Sequence, residues 1–292
     1  MENKPLKAEE HEGLRPGHYA CPGCGMAIAM RLVLKAIGKA IVVSIPGCNA
    51  VIGNVYPYSA FNLPAFHSAF EIAAPTAAGI ARGLKLRGIE DIPVLAFAGD
   101  GGTFDIGLQS LSGAADRNED IIYVCLDNEA YMNTGIQSSS ATPPLAWTVT
   151  TPEGRKGHKK DIMKIMMSHK IPYLATASIG FPEDLMRKVK RAKAIKGTRF
   201  IYVLTPCPTG WRVPESLTVK LSLLAVHSMV LPLYEIVEGK GFLTVKPKGI
   251  PVREYLRLQG RYAHLTEDQI QQIQREVNEN WQSLMKIMGD GS

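Results

Sequence analysis

Two apolar runs in this chain each end in an oxygen-bearing side chain. Ile92-Pro93-Val94-Leu95-Ala96-Phe97-Ala98 leads into Gly99-Asp100-Gly101, and Ile121-Ile122-Tyr123-Val124-Cys125-Leu126 leads into Asp127-Asn128-Glu129-Ala130-Tyr131. Between them, Phe104 to Arg117 sets Phe104, Leu108, Leu111 and Ala115 at helical spacing. Strand, helix and return strand place Asp100 and Asn128, 28 residues apart, at the C-terminal ends of neighbouring parallel strands. A carboxylate and an amide oxygen at that edge suit Mg²⁺, which keeps octahedral geometry and shares its shell with phosphates.

Gly101 and Gly102 are expected to supply backbone angles that other residues avoid and room for a phosphate to approach. Thr103 is the expected N-cap of the helix, whose free N–H groups then face a diphosphate. Gly-Asp-Gly alone also fits an ordinary turn. Asn128 at the matching strand end is what favours the cation site.

Apolar runs and helical patterns alternate along most of the chain, which marks an α/β fold on a mostly parallel, doubly wound sheet. Helices are expected at 26–39, 71–87, 104–117, 160–169 and 182–194, and strands at 40–45, 92–98, 120–126, 173–178 and 200–204. A last amphipathic helix is expected over 267–287, opened by Thr266. Residues 1–12 form an expected tail, 13–210 the binding domain, and 211–292 a C-terminal, largely helical extension packing on the core or on partner subunits.

At 292 residues and 46% hydrophobic content there is ample material for a core. The net charge of +6 is modest and its basic residues are dispersed, so nucleic-acid binding is not expected. Local clusters occur at 155–160 and 187–191, the second with the spacing of a solvated helix face. A basic surface better suits an acidic electron carrier. No run of 18 apolar residues suggests a membrane span, and the start lacks a signal-peptide core, so a cytoplasmic location is expected.

The polar stretch from Asn128 to Lys156 is too long for an idle connection. It holds Asn133-Thr134-Gly135 and Gln137-Ser138-Ser139-Ser140, and is expected to close over a bound cofactor.

Of the five cysteines, Cys125 lies inside an apolar strand and is expected in the core. Cys21 and Cys24 form a C-x-x-C in a Gly/Pro-rich turn before a helix. Cys48 and Cys207 each follow a strand, on the same sheet edge as Asp100 and Asn128. Four thiolates suit a [4Fe–4S] cluster or a Cys₄ zinc site, and spacing does not choose between them.

Gly-Asp-Gly followed by a strand ending in Asn resembles the magnesium–thiamine diphosphate motif. The family pattern ends in Asn-Asn where this chain has Asp127-Asn128, leaving the second, ligating position intact. Taken with Gly17-His18-Tyr19-Ala20-Cys21-Pro22-Gly23-Cys24-Gly25, the Cys48 and Cys207 loops, and the string Asn128 to Gly135, the chain resembles the β subunits of 2-oxoacid:ferredoxin oxidoreductases over residues 13–285, nearest to the pyruvate synthase type. The resemblance implies a thiamine-diphosphate-binding fold and a proximal [4Fe–4S] cluster on Cys21, Cys24, Cys48 and Cys207. It implies Mg²⁺ on Asp100, Asn128 and the Ala130 carbonyl, with Gly47, Asn49, His67, Gly99, Gly101 and Gly102 near the cofactor. Asn133 and Thr134 fall beside the substrate. Oxidative decarboxylation of a 2-oxoacid, pyruvate first, is implied, with coenzyme A as acyl acceptor and ferredoxin as electron acceptor in anaerobic metabolism. Branched-chain 2-oxoacids, oxalate and 2-oxoglutarate are the alternative substrates.

The glutamate that activates the aminopyrimidine in such enzymes normally comes from a separate pyrimidine-binding domain, and no second domain of that kind is evident in 292 residues. The implied partners are a pyrimidine-binding α-type chain and ferredoxin-like δ and γ chains. Rival readings are a non-redox thiamine decarboxylase or synthase with structural zinc, and a non-enzymatic electron-transfer or zinc-binding subunit.

Overall fold

The computed structural model describes residues 12–288, so most of the expected tail lies outside the described residues. Helix α1 (Gly25–Ile37) leads into β1 (Ile41–Ser44) and α2 (Cys48–Gly53). A short antiparallel ribbon, β2 (Asn54–Val55) and β3 (Tyr58–Ser59), precedes β4 (Ala65–His67) and α3 (Ala73–Leu86). The expected strand–helix–strand unit follows as β5 (Val94–Gly99), α4 (Leu108–Asp116) and β6 (Ile121–Asp127). Beyond residues 128–161 come α5 (Ile162–Ser168), β7 (Tyr173–Ser178), α6 (Pro182–Ala194) and β8 (Thr198–Leu204). The C-terminal part holds α7 (Pro208–Trp211), α8 (Thr218–His227), β9 (Leu233–Val237), β10 (Lys240–Val245), α9 (Val252–Leu256) and α10 (Glu267–Met288).

Among the described residues, eight strands form one sheet in the order β10-β9-β7-β8-β6-β5-β1-β4. Pairing is parallel from β7 to β4, and the β9–β10 hairpin joins antiparallel at the β7 side. Helices cover both faces, so the central strands are apolar throughout instead of alternating. In β6, Ile122, Val124 and Leu126 pack toward α1 and α6, whereas Ile121, Tyr123 and Cys125 pack toward α3, α4 and the C-terminal helices. Cys125 is fully buried, as its place in an apolar run requires.

Three expectations need correction. Thr103 does not cap a helix; its hydroxyl donates to the Gly99 carbonyl at 2.8 Å, and a π-turn over Gly101–Asp105 precedes α4. Gly101 and Gly102 have no left-handed backbone. They are glycines because an added Cβ would overlap the Tyr131 ring at Gly101 and the Ile45 side chain at Gly102. The basic run 187–191 is a solvated face only in part: Arg187, Lys190 and Arg191 are exposed as expected, whereas Lys188 turns inward toward the unanticipated β9–β10 hairpin. Lys188 is fully buried and donates to Asp184 (2.5 Å), the Thr176 carbonyl (2.8 Å) and the Thr244 hydroxyl (2.7 Å), while Arg187 and Arg191 reach Glu235. The start of α10 matches expectation: Thr266 and Gln269 cap one another reciprocally, N–H to side chain, at 3.4 and 2.9 Å. No described helix is long and apolar enough to cross a membrane.

Candidate active site

The four strands β8-β6-β5-β1 are consecutive in the sheet, and their C-terminal ends carry Cys207, Asn128, Asp100 and Cys48 in that order. Sheet topology alone therefore gathers residues that are up to 159 positions apart in the chain. The C-x-x-C turn joins the same edge by direct hydrogen bonding. The Gly25 N–H donates to the Pro206 carbonyl at 3.1 Å, and the Thr218 hydroxyl donates to the Gly23 carbonyl at 2.6 Å.

The side-chain amide of Asn128 turns its oxygen toward the Ala130 carbonyl oxygen at 2.9 Å and Asp100 Oδ1 at 3.1 Å, and its nitrogen toward Cys48 Sγ at 4.0 Å. Three oxygens with no proton among them repel. Either the amide turns over and donates to both neighbours, or a cation sits among the three. Adjacent ligands of an octahedral Mg²⁺ with bonds of 2.0–2.1 Å lie about 2.9 Å apart, which these separations match. A carboxylate, an amide oxygen and a carbonyl are the donors that a hard cation takes.

Asp100 is 3% exposed and accepts a hydrogen bond from the Ser139 hydroxyl at 2.5 Å. Burial pushes its carboxyl well above the ordinary carboxylate range, and the nearby Asp127 pushes it further. A cation at this place offsets both effects. Ser139 belongs to the long polar stretch, which folds back onto Asp100 and Asp105: the Tyr131 hydroxyl donates to Asp105 Oδ2 at 2.7 Å and the Ser140 N–H to the same oxygen at 3.2 Å.

The thiols form a second group. Burial pushes the Cys48 thiol up to about 12, and Cys207, Cys24, Asp100 and Cys21 add to it in that order. Burial likewise raises Cys207 to about 11, with Cys24 and Cys21 contributing, and raises Cys24. Cys21, Cys24 and Cys207 thus all act on Cys48, although three chain segments supply the four sulfurs. Among the described residues, no three His, Cys, Asp or Glu side chains draw close enough to hold one metal ion.

Residues 46–203 match the family of thiamine pyrophosphate enzymes, C-terminal TPP binding domain. The chain is 50% identical over 288 residues to pyruvate synthase subunit PorB of Methanocaldococcus jannaschii, covering 94% of this chain and 97% of that protein. It is 46% identical over 293 residues to ketoisovalerate oxidoreductase subunit VorB of Pyrococcus furiosus, covering 96% and 94%. The chain belongs to the β subunits of the 2-oxoacid:ferredoxin oxidoreductases. Its fold is also that of the 2-oxoglutarate:ferredoxin oxidoreductase from Magnetococcus marinus, at a TM-score of 0.59 and 22% identity over 74% of this chain and 82% of that one.

In this β subunit the remaining expected site residues are placed unevenly. Gly47, with φ of 140°, turns the chain into α2. Asn49 is fully buried there; its Nδ2 donates to the Ser44 hydroxyl at 2.9 Å and the Ile45 carbonyl at 3.0 Å, while its Oδ1 has no partner. Gly99 ends β5 and accepts from Thr103. His67 lies on the exposed edge strand β4, and Asn133 and Thr134 stand exposed on the turn closed by the Tyr131–Gln137 bridge, where the Thr134 hydroxyl donates to Gln137 Oε1 at 2.6 Å. The structure therefore brings Asp100, Asn128, Ala130 and Cys48 together, and leaves His67, Asn133 and Thr134 facing outward.

A buried charge network beneath the site was not anticipated. Lys159 bridges Asp127 and Glu129, each at 2.8 Å, and Glu129 also pairs with Arg261 at 2.6 Å. Burial raises the Glu129 carboxyl, but Lys159 and Arg261 outweigh it and hold that carboxyl below its ordinary value. The basic cluster at 155–160 was a signal for Lys159. Nothing local to Arg261 pointed to a partner 132 residues away. The network borders a cavity of about 490 Å³ between β7, α5 and α10, lined by Met163, Met167, Leu284 and Ile287.

Proposed function

We propose that this chain is the redox-active half of a 2-oxoacid:ferredoxin oxidoreductase, holding thiamine diphosphate through Mg²⁺ and a [4Fe–4S] cluster at one sheet edge. The observation that carries the reading is the convergence at one sheet edge of the Asp100 carboxylate, the Asn128 side-chain amide and the Ala130 carbonyl, within 3.1 Å of that amide, with Cys48 on its other side. Asp100, Asn128 and the Ala130 carbonyl would hold the cation, and Cys21, Cys24, Cys48 and Cys207 the cluster.

When bound, thiamine diphosphate supplies a carbanion for attack on the 2-oxo carbon and the cluster supplies a one-electron acceptor beside it. This chain's residues bind, orient and exclude water. Gly101 and Gly102 leave space that lets Tyr131 and Ile45 close on the π-turn, Ser139 fixes the free oxygen of Asp100, and the Tyr131–Gln137 turn carries Asn133 and Thr134 to the rim. Gly47, Gly99, Asn49 and His67 would line the cofactor's approach.

The site is completed by other chains in this reading: a pyrimidine-binding α-type subunit and ferredoxin-like δ and γ subunits. Val55, Tyr56, Tyr58 and Phe66 are exposed on the β2–β3 ribbon and edge strand β4, directly after the helix that carries Cys48, and such an apolar rim suits a partner surface. The substrate we assign is pyruvate, with coenzyme A taking the acyl group and ferredoxin the electrons. The VorB likeness favours a branched-chain 2-oxoacid as the second reading.

The test is the purified complex, assayed against a panel of 2-oxoacids with a viologen dye, with and without coenzyme A, alongside metal analysis and an anaerobic electron paramagnetic resonance spectrum. Pyruvate-dependent dye reduction and a reducible cluster are expected. Zinc without a reducible cluster would sink the redox assignment, and turnover by the isolated, reconstituted chain would sink the shared site.

A further inference from the structure

Glu129 sits between the two residues proposed to supply cation ligands, and it is one of the non-glycine residues with a left-handed backbone, φ 67°. That conformation is unfavourable for an L-residue with a side chain and persists only where its surroundings fix it. Here they do so from both ends. The Glu129 N–H donates to Asp127 Oδ1 at 2.6 Å, and its carbonyl accepts from the Thr142 hydroxyl at 2.7 Å. Its carboxylate is held by Lys159 and by Arg261, whose guanidinium also lies 3.9 Å over the Trp211 ring and donates through Nε to Gln259 Oε1 at 2.9 Å. The Trp211 indole N–H in turn donates to the Asn128 carbonyl at 2.9 Å. The reversed turn at Glu129 is what lets a side chain at 128 and a carbonyl at 130 point to one place.

We propose that Arg261, with Glu129, Lys159 and Trp211, is a positioning residue that sets the distance between the Asn128 amide and the Ala130 carbonyl, so that the C-terminal segment controls divalent-cation affinity without supplying a ligand. This rests on the proposed Mg²⁺ site. The role differs from general stabilisation because the network's contacts converge on a three-residue strap, Asn128 to Ala130, through its side chains and its backbone alike. Asp127, where the family pattern has asparagine, gains a purpose: its Oδ2 both pairs with Lys159 and accepts from the Tyr202 hydroxyl at 2.5 Å, while its Oδ1 takes the Glu129 N–H.

The measurement is the Mg²⁺ concentration for half-maximal thiamine diphosphate binding, read by circular dichroism on the cofactor-depleted whole complex with its cluster in place. Arg261→Met is expected to raise it roughly 10- to 100-fold, the range that loss of an outer-shell partner produces. Arg261→Lys, which keeps the charge without the planar fork, should fall between. Lys188→Met, which breaks a buried pair in α6 remote from the strap, should lower the melting temperature and leave the Mg²⁺ requirement unchanged. Should Arg261→Met fail to assemble, Trp211→Phe, which deletes one N–H, decides with an expected severalfold rise. An unchanged requirement in the assembled Arg261 or Trp211 variants, or an equal shift in Lys188→Met, overturns the proposal. Wild-type complex that binds thiamine diphosphate without regard to Mg²⁺ would instead overturn the cation site itself, and this inference with it.

Discussion

Asn128 and Cys48, 80 residues apart in sequence, meet at 4.0 Å, amide nitrogen to sulfur. The other end of the same amide faces Asp100 and Ala130. One planar side chain thus spans the gap between an oxygen-rich pocket and a thiol-rich one. Its two ends differ chemically, so the two functions separate on mutation.

Asn128→Ala removes one of three proposed oxygen ligands and leaves the sulfurs untouched. The complex is expected to lose Mg²⁺-dependent thiamine diphosphate binding while keeping the visible absorption of the cluster. Calorimetric titration with the cofactor and an anaerobic spectrum on the same sample decide it; loss of both signals would show that the pockets are not separable.

Cys207→Ala should do the reverse, abolishing the cluster spectrum and leaving cofactor binding. Cys125→Ala is the control. Cys125 is fully buried between Val124 and Leu126 in the sheet, so its replacement costs about 1 kcal/mol through lost packing and leaves the iron content unchanged. Iron and sulfide analysis of both variants checks the assignment.

Gly101→Ala tests packing at the π-turn. The new methyl would overlap the Tyr131 ring, and overpacking of this kind costs about 1–3 kcal/mol. Because Tyr131 also anchors the polar stretch to Asp105, weaker cofactor binding is expected together with a lower melting temperature. Gly101→Ala combined with Tyr131→Ala should be less unstable than the sum of the single variants. Simple additivity would place the clash elsewhere.

Much of this architecture was legible because it rests on local rules. The strand at 173–178 and the helix at 182–194 coincide with the expected spans, since apolar runs and a proline-led amphipathic pattern are signals carried by the segments themselves. Asp100, Asn128, Cys48 and Cys207 were legible as a group, because residues that follow parallel strands share one edge. The β9–β10 hairpin was not, as its alternation is weak and Glu235 stands buried in its middle, paid for by Arg187 and Arg191. Nor was the role of Gly101, since a close approach by Tyr131 leaves no trace in local composition. Arg261 illustrates the limit: a charge whose partner lies 132 residues away has no local pattern to betray it.

Lys188 offers a test in which pH reports burial. Burial lowers its pKa below the ordinary lysine value of about 10.4, outweighing the opposing pull of Asp184 and Glu235. In the window between the lowered folded value and the ordinary unfolded one, the unfolded chain holds more protons at this site than the folded chain does. Stability contributed by Lys188 therefore rises with pH across that window. Lys188→Met removes the titration and strands two acceptors, the Thr176 carbonyl and the Thr244 hydroxyl, while Asp184 keeps Arg187 at 2.5 Å. The variant should be less stable than wild type by about 3 kcal/mol, at the low end for a broken buried pair because that arginine remains. The gap in melting temperature should widen, not narrow, as pH is raised toward the ordinary lysine value. A gap that closes on raising the pH would mean that the folded state favours the ammonium, and that pairing outweighs desolvation in α6.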